Sequence, residues 1–288
     1  MRFKISDAKF GFLLSFPALI LVFLLIIYPL SILLFTAFLR YNNYSPVVFT
    51  GLNNFRFIFA ESIFWKSLGN TFVFSASVTC LTFFISLIIA HSLNRLSRGS
   101  TFFRTLFILP WALPLIISGL IFGWIFDPTY GPLNYATRTL GLGSYNILVE
   151  SRTAKIAVVL CESWARIPFM TIVILAGLQS IPEDLYSAAK IDGADSLSLF
   201  QYISLPLNKR AIIFGIFIVL LFTSRTVDVI YALTGGGPAR ATYMMGNYLW
   251  ENLFLNMDFG VTAAISVVML IYCMALVAIF GYFIFRRE

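Results

Sequence analysis

Ser180-Ile-Pro-Glu-Asp-Leu-Tyr-Ser-Ala-Ala-Lys-Ile-Asp-Gly-Ala-Asp-Ser-Leu-Ser-Leu-Phe-Gln-Tyr-Ile-Ser-Leu-Pro206 reads as two short helices around a glycine, set between two apolar runs. Ser180 and Glu183 have the spacing of a capping box, with Pro182 in the first turn, so a helix is predicted from there to about Ile191. Gly193 suits the left-handed residue just past its end. Asp195 or Ser196 can cap a second helix, and Pro206 stops it. Leu185, Ala188, Ala189 and Asp192 share one face of the first helix by their spacing. The small alanines there let another protein approach the backbone closely.

The flanking sequence is hydrocarbon. A spanning helix needs about 20 mostly apolar residues. Six stretches qualify: 10–38, 70–93, 105–126, 156–178, 211–233 and 261–285. The first follows Arg2, Lys4 and Lys9. It is too long for a signal peptide and has no small-residue cleavage site. The predicted fold is all-α: a polytopic membrane protein of six transmembrane helices with a helix-turn-helix loop. One membrane unit is expected over 1–288, with the loop at about 180–207. Turn residues such as Asp127-Pro128 and Gly235-Gly236-Gly237-Pro238 mark the loops on the far side.

Six spans put both termini on one side. The segments on that side carry eleven Lys and Arg residues against seven on the other, which favours cytoplasmic termini. The link between Arg95 and Arg104 is basic and has no acid. The 180–206 stretch then also lies in the cytoplasm.

Composition excludes the ordinary soluble classes. The chain is 59% hydrophobic and 11% charged, with 31 Phe in 288 residues, whereas soluble domains carry about 25% charge. The net charge of +7 is spread through the gaps between apolar runs, so it reads as topology and not as a nucleic-acid surface. Cys80, Cys161 and Cys273 lie inside apolar stretches, without metal-ligand spacing, and His91 is the only histidine. The cysteines are expected to be small buried residues with no disulfide and no metal. Gly235–Thr242 lacks the Gly-Lys-Ser/Thr of a phosphate loop.

The helix–Gly–helix unit resembles the cytoplasmic coupling motif of ABC importer permeases. The matching residues are Ser187-Ala188-Ala189, then Ile191-Asp192-Gly193-Ala194, then Leu205-Pro206. The family's leading Glu is Ser187 here. Gly51-Leu52-Asn53-Asn54-Phe55, Asn70-Thr71, Trp164, Pro168, Phe169, Asp228, Tyr231, Leu233-Thr234-Gly235-Gly236-Gly237-Pro238 and Asp258-Phe259-Gly260 are similar to the carbohydrate-uptake branch. The likeness is on the maltose-F-like or glycerol-phosphate-A-like side, without the large outer domain of the maltose-F protein.

The resemblance implies an inner-membrane permease subunit for a sugar, oligosaccharide or glycerol-phosphate-like solute. It implies a second permease, two cytoplasmic ABC ATPases and an extracytoplasmic solute-binding protein as partners. Lipid surrounds the chain, and no nucleic acid is expected. The chain itself would be no enzyme and bind no cofactor; ATP and Mg would sit on the partner ATPase. The coupling residues implied are Leu185, Ser187, Ala188, Ala189, Asp192 and Gly193.

Ionisable groups inside spans usually face protein or water. Glu162 and Arg166, four apart, and Arg225 and Asp228, three apart, can each pair along a helix face. Such pairs either neutralise themselves and position helices, or line a cavity that hydrogen-bonds a sugar. Trp164, Phe169 and Tyr231 can stack on sugar faces. Trp164, Arg166, Phe169, Arg225, Asp228 and Tyr231 are therefore the candidate substrate pathway. Two other classes stay open: a proton-coupled secondary transporter, and a membrane scaffold that transports nothing.

Overall fold

The computed structural model describes residues 7–95 and 100–285. The Arg2, Lys4, Arg98, Arg286 and Arg287 charges used for topology lie outside them. In chain order the helices are α1 Asp7–Val22, α2 Tyr28–Thr36, α3 Asn53–Ala60, α4 Ser62–Arg95, α5 Ser100–Ala112, α6 Leu115–Ile125, α7 Pro132–Thr139 and α8 Ser151–Gln179. They continue with α9 Glu183–Ile191, α10 Ser196–Leu199, α11 Leu205–Leu207, α12 Lys209–Thr223, α13 Asp228–Leu233, α14 Met245–Trp250 and α15 Phe259–Phe285. A two-stranded hairpin, β1 Leu39–Asn42 and β2 Ser45–Phe49, follows α2. Helix dominates, as the sequence predicts. Residue contacts group the chain as Met1–Ser62 with Leu249–Ile271, and Ile63–Tyr248 with Tyr272–Glu288.

In the first group, a π-helical stretch, Phe23–Ile27, joins α1 to α2. Pro29 has no N–H to give the Leu25 carbonyl, so the ladder widens here, and Tyr28 N–H bonds to Phe23 O. The hairpin was not predicted. Its strands pair antiparallel, Leu39 opposite Phe49 and Arg40 opposite Val48. Asn42 Oδ1 closes the turn by accepting from Tyr44 N (3.1 Å) and Ser45 Oγ (2.7 Å). The Asn54 amide donates to the Ala37 and Leu39 carbonyls at 2.9 and 2.8 Å. Asp258 Oδ1 accepts from Val261 N at 2.9 Å and so caps α15. The Asn54 and Asp258 motif positions are thus structural.

In the second group α8 is the central element, with Ala157, Val158, Cys161, Met170, Ile174 and Leu178 all buried. One apolar cluster joins Phe74 and Val78 to Val158, Val229, Ile230 and Leu233. A second joins Ala90 and Leu93 to Met170, Ile174, Ile212 and Val219. Cys161 is buried, but Cys80 is exposed and Cys273 half-buried, which corrects the expectation for Cys80.

Among the described residues four helices are long and apolar enough to span: Leu14–Thr36, Ser62–Asn94, Ser151–Gln179 and Phe259–Ile284. Ser196–Leu207 and Lys209–Thr223 reach that length and apolarity only when taken together, as a pair bent by 66°. Two expected spans are not single helices. The third breaks at Leu113–Pro114 into α5 and α6, because a residue before proline is driven from the helical region. The fifth ends at Thr223 and resumes only at Asp228. Thr223 and Ser224 each turn their hydroxyl back onto a carbonyl of the preceding turn, at 2.9 and 3.0 Å. Such back-bonding competes with the backbone ladder and loosens a helix end.

The end of α8 and the start of α12 are locked together. Asn208 is buried, and its Nδ2 donates to Ile174 O at 3.0 Å. A Cβ on Gly177 would collide with the Asn208 amide and stand 2.7 Å from Ala211 Cβ. Gly177→Val is therefore expected to destabilise the protein by about 1–3 kcal/mol. Gly69→Ala, where a Cβ meets nothing within 4 Å, is expected to be neutral or stabilising by up to about 1 kcal/mol. Thermal unfolding of the purified protein in detergent checks both; equal midpoints would remove the close-contact explanation.

Candidate functional site

The 180–206 stretch forms the two-helix unit, with a different start from the one expected. Ser180 does not cap it. It closes α8, its Oγ donating to Gly177 O at 2.7 Å, and α9 begins after Pro182. Glu183 and Asp184 occupy the first turn and Lys190 the last, matching the helix dipole. Gly193 has φ +86°. Its N–H bonds to Lys190 O at 3.1 Å and that of Ala194 to Ala189 O at 2.9 Å. This pair of bonds is the Schellman closure, which needs a left-handed residue at that position.

Asp195 then caps α10, accepting from Ser198 N at 2.9 Å. Ser198, through its side chain and its N–H, holds the Asp195 carboxyl below the usual carboxylate range. The second helix runs through a π-helical stretch, Phe200–Ser204, into α11. Pro206 again removes the N–H that would have kept the tighter ladder. It ends the helix within one residue, as expected.

The hairpin presents a compact exposed face. Leu185, Ser187, Ala188, Ile191, Asp192 and Gly193 are exposed, and Ala189 is half-buried. Ile191, at the end of α9, is 87% exposed. Tyr186 holds the two helices together through its hydroxyl, 3.0 Å from Ser204 Oγ. Beneath them is a cavity of about 650 Å³ lined by His91, Gln179, Glu183, Tyr186, Lys190 and Ser204, among others.

The second constellation is the buried charge. Glu162 is fully buried, and Arg166 donates to its Oε1 from Nε at 2.8 Å and Nη2 at 2.7 Å. The expected i,i+4 pair is therefore formed. Thr226 Oγ1 donates to the same oxygen at 3.0 Å. Glu162 on α8 thus ties down the break between α12 and α13.

Arg225 and Asp228 do not share a helix face, contrary to expectation. Arg225 lies in the turn after α12, and Asp228 is the first residue of α13. Among the described residues their side chains form no ion pair. The Arg225 and Arg166 guanidinia instead lie 5.5 and 5.4 Å from the Phe222 ring centroid. Phe222, Arg225, Asp228 and Tyr231 are exposed at three-residue intervals along this broken span.

The candidate aromatics separate. Trp164 packs on Phe122 at 5.6 Å and Phe169 stacks on Trp111 at 6.0 Å. Asn70 and Thr71 are structural, with Asn70 Nδ2 donating to Tyr243 O (2.9 Å) and Thr71 Oγ1 accepting from Met245 N (3.0 Å). Sequence reasoning missed Thr226, Asn208 and Phe222. Thr226 was legible only as a hydroxyl beside two charges, and Asn208 only as a lone amide after Leu-Pro-Leu.

The family described as binding-protein-dependent transport system inner membrane component matches residues 82–287. The sulfoquinovosyl glycerol transport system permease protein SmoG of Agrobacterium fabrum is 34% identical, over 96% of this chain and 90% of that protein. The trehalose/maltose transport system permease protein MalF of Thermococcus litoralis is 35% identical, over 92% and 90%. A chain from a bacterial ABC transporter that imports the acidic polysaccharide alginate superposes with a TM-score of 0.84 at 21% identity, covering 96% of each chain. That likeness concerns the fold.

Removing one member of a buried ion pair leaves the other uncompensated. Arg166→Met is expected to cost about 3–5 kcal/mol. The double change Glu162→Leu with Arg166→Met is expected to recover most of that loss. Thermal midpoints of the purified variants test it, and a double-variant loss equal to the sum of the singles would show that the two residues act independently.

Proposed function

The chain belongs to the binding-protein-dependent transport system inner membrane components, and from that premise we propose that it is the sugar-pathway permease of an ATP-driven importer. This family assignment displaces the proton-coupled alternative. The chain lies in the inner membrane and forms the solute pathway with a second permease. Relatives named for sulfoquinovosyl glycerol, trehalose/maltose and sn-glycerol-3-phosphate support a sugar or glycerol-phosphate-like solute. ATP and Mg bind two cytoplasmic ATPases, and an extracytoplasmic binding protein delivers the solute. Both termini are cytoplasmic, and 1–288 serves as one permease domain.

The observation that carries the reading is the exposed α9 face with its Schellman turn. It is a short rigid helix offering small residues to a groove on a partner. Closure of the ATPases on ATP pushes this hairpin as a rigid body. The Asn208–Ile174 lock at its base passes the displacement into α8 and α12. Phe222, Arg225, Asp228 and Tyr231, exposed along the broken fifth span, form this chain's wall of the pathway, with Arg166 against Phe222.

Gly193→Val imposes a left-handed conformation that costs other residues about 1–2 kcal/mol, and Ala188→Asp sets an unpaired acid against the partner. Both variants are expected to reach the membrane in normal amount but to lose the ATPase on detergent pull-down, or to hydrolyse ATP without uptake. Ser187→Ala is expected to be mild. Normal recruitment and coupled uptake in both variants would discard the hairpin as the transmission element.

Topology is tested separately in a cysteine-free background. Ser187→Cys is expected to resist membrane-impermeant thiol reagents in intact cells, and Gly143→Cys to react. The reverse pattern would invert the orientation.

A further inference from the structure

One cavity in the second group lies apart from both constellations. It is a slot of about 250 Å³ between α4 and α8, walled by Val73, Phe74 and Leu81 on one side and Ile156, Val159 and Leu160 on the other. It opens outward, since Val73, Ile156 and Leu160 are 61%, 52% and 43% exposed at its rim. Its length along α4, from Asn70 to Leu81, is about 16 Å at the helical rise.

The lining excludes a sugar. Two of its polar groups are already engaged: Asn70 donates to Tyr243 O at 2.9 Å and Thr242 to Gly237 O at 2.7 Å. A polyhydroxyl solute would lose its water there and find hydrocarbon. The volume lies below the range of about 300–1,000 Å³ typical of compact ligand sites, which suits a slender occupant.

One charge stands at the mouth. Lys155, in the second turn of α8, is exposed and has no ion pair among the described residues. A lysine near a helix end in a membrane reaches for the interface, where an anionic headgroup is its natural counter-charge. Hydrocarbon walls, a long narrow shape and one cation at the end match a single lipid tail and its phosphate. We infer that this slot holds one acyl chain of an anionic phospholipid whose phosphate pairs with Lys155. The inference needs only the membrane-spanning helices and is independent of the coupling hairpin and the transported solute.

Native mass spectrometry of the full chain, purified with its partner subunits, tests it. The probes are phosphatidylglycerol and phosphatidylcholine of the same acyl composition, titrated separately. Expected is one tightly held phosphatidylglycerol per chain, preferred over phosphatidylcholine. Lys155→Ala, a surface change, is expected to weaken phosphatidylglycerol by about fivefold, the worth of one interfacial lysine, and to erase the preference. Ser77→Phe, which fills the slot, is expected to remove the retained lipid of both kinds. Equal binding of the two lipids by wild type, or unchanged binding in both variants, overturns the inference. So does efficient cross-linking of Ile156→Cys to the second permease, which would show that protein covers the slot.

Discussion

A carboxylate with no solvent exposure, on a helix surrounded by hydrocarbon, tolerates few arrangements. Glu162 meets the constraint through one oxygen, which takes two donors from Arg166 and a third from Thr226. An uncompensated charge at that depth would cost several kcal/mol, so the bonds cannot be given up singly. Arg166 is a neighbour on the same helix, but Thr226 is 64 residues away, in the break of the fifth span. The carboxylate therefore anchors the break between α12 and α13 against α8. Arg225 and Arg166 reach the same Phe222 ring because that break is held there.

The same pair of spans is tied a second time near the hairpin, by Asn208 against Ile174 and by the missing Cβ of Gly177. Between the two ties α8 and α12 pack through Met170, Ile174, Ile212 and Val219. In the proposed mechanism a displacement of the α9–α11 unit reaches the broken helix through these contacts, as through a lever. The exposed row from Phe222 to Tyr231 stands at the far end of that lever.

What the sequence disclosed follows from what each signal depends on. Spans one, two, four and six were legible because continuous hydrocarbon over about 20 residues has few alternative folds. The Schellman turn was legible because Gly193 stands where a short helix must end. Ser180 misled, since a serine three residues before a glutamate also fits the end of the preceding helix, and the length of α8 decided the matter. The breaks at Pro114 and at Ser224–Val227 were hidden inside apolar runs. Proline and hydroxyl back-bonding set those breaks, and hydropathy does not register either. Arg225 and Asp228 were paired on the assumption of an unbroken helix, so their separation follows from the same oversight. The β1–β2 hairpin depended on Asn42 folding onto Tyr44 and Ser45, a local bond with no periodicity to announce it.

The central claim is that the hairpin and the fourth and fifth spans move as one body. It is tested most directly by double electron–electron resonance between spin labels at Leu197, on α10 of the hairpin, and Ile172, on the exposed face of α8. The sample is the complete transporter in lipid, first without nucleotide and then trapped with ATP. Expected is one narrow distance distribution, unchanged between the two states. A shift of several ångströms or a broadened distribution on ATP binding would mean that the hairpin swivels on its own, and that the ties at Asn208 and Glu162 do not transmit its motion.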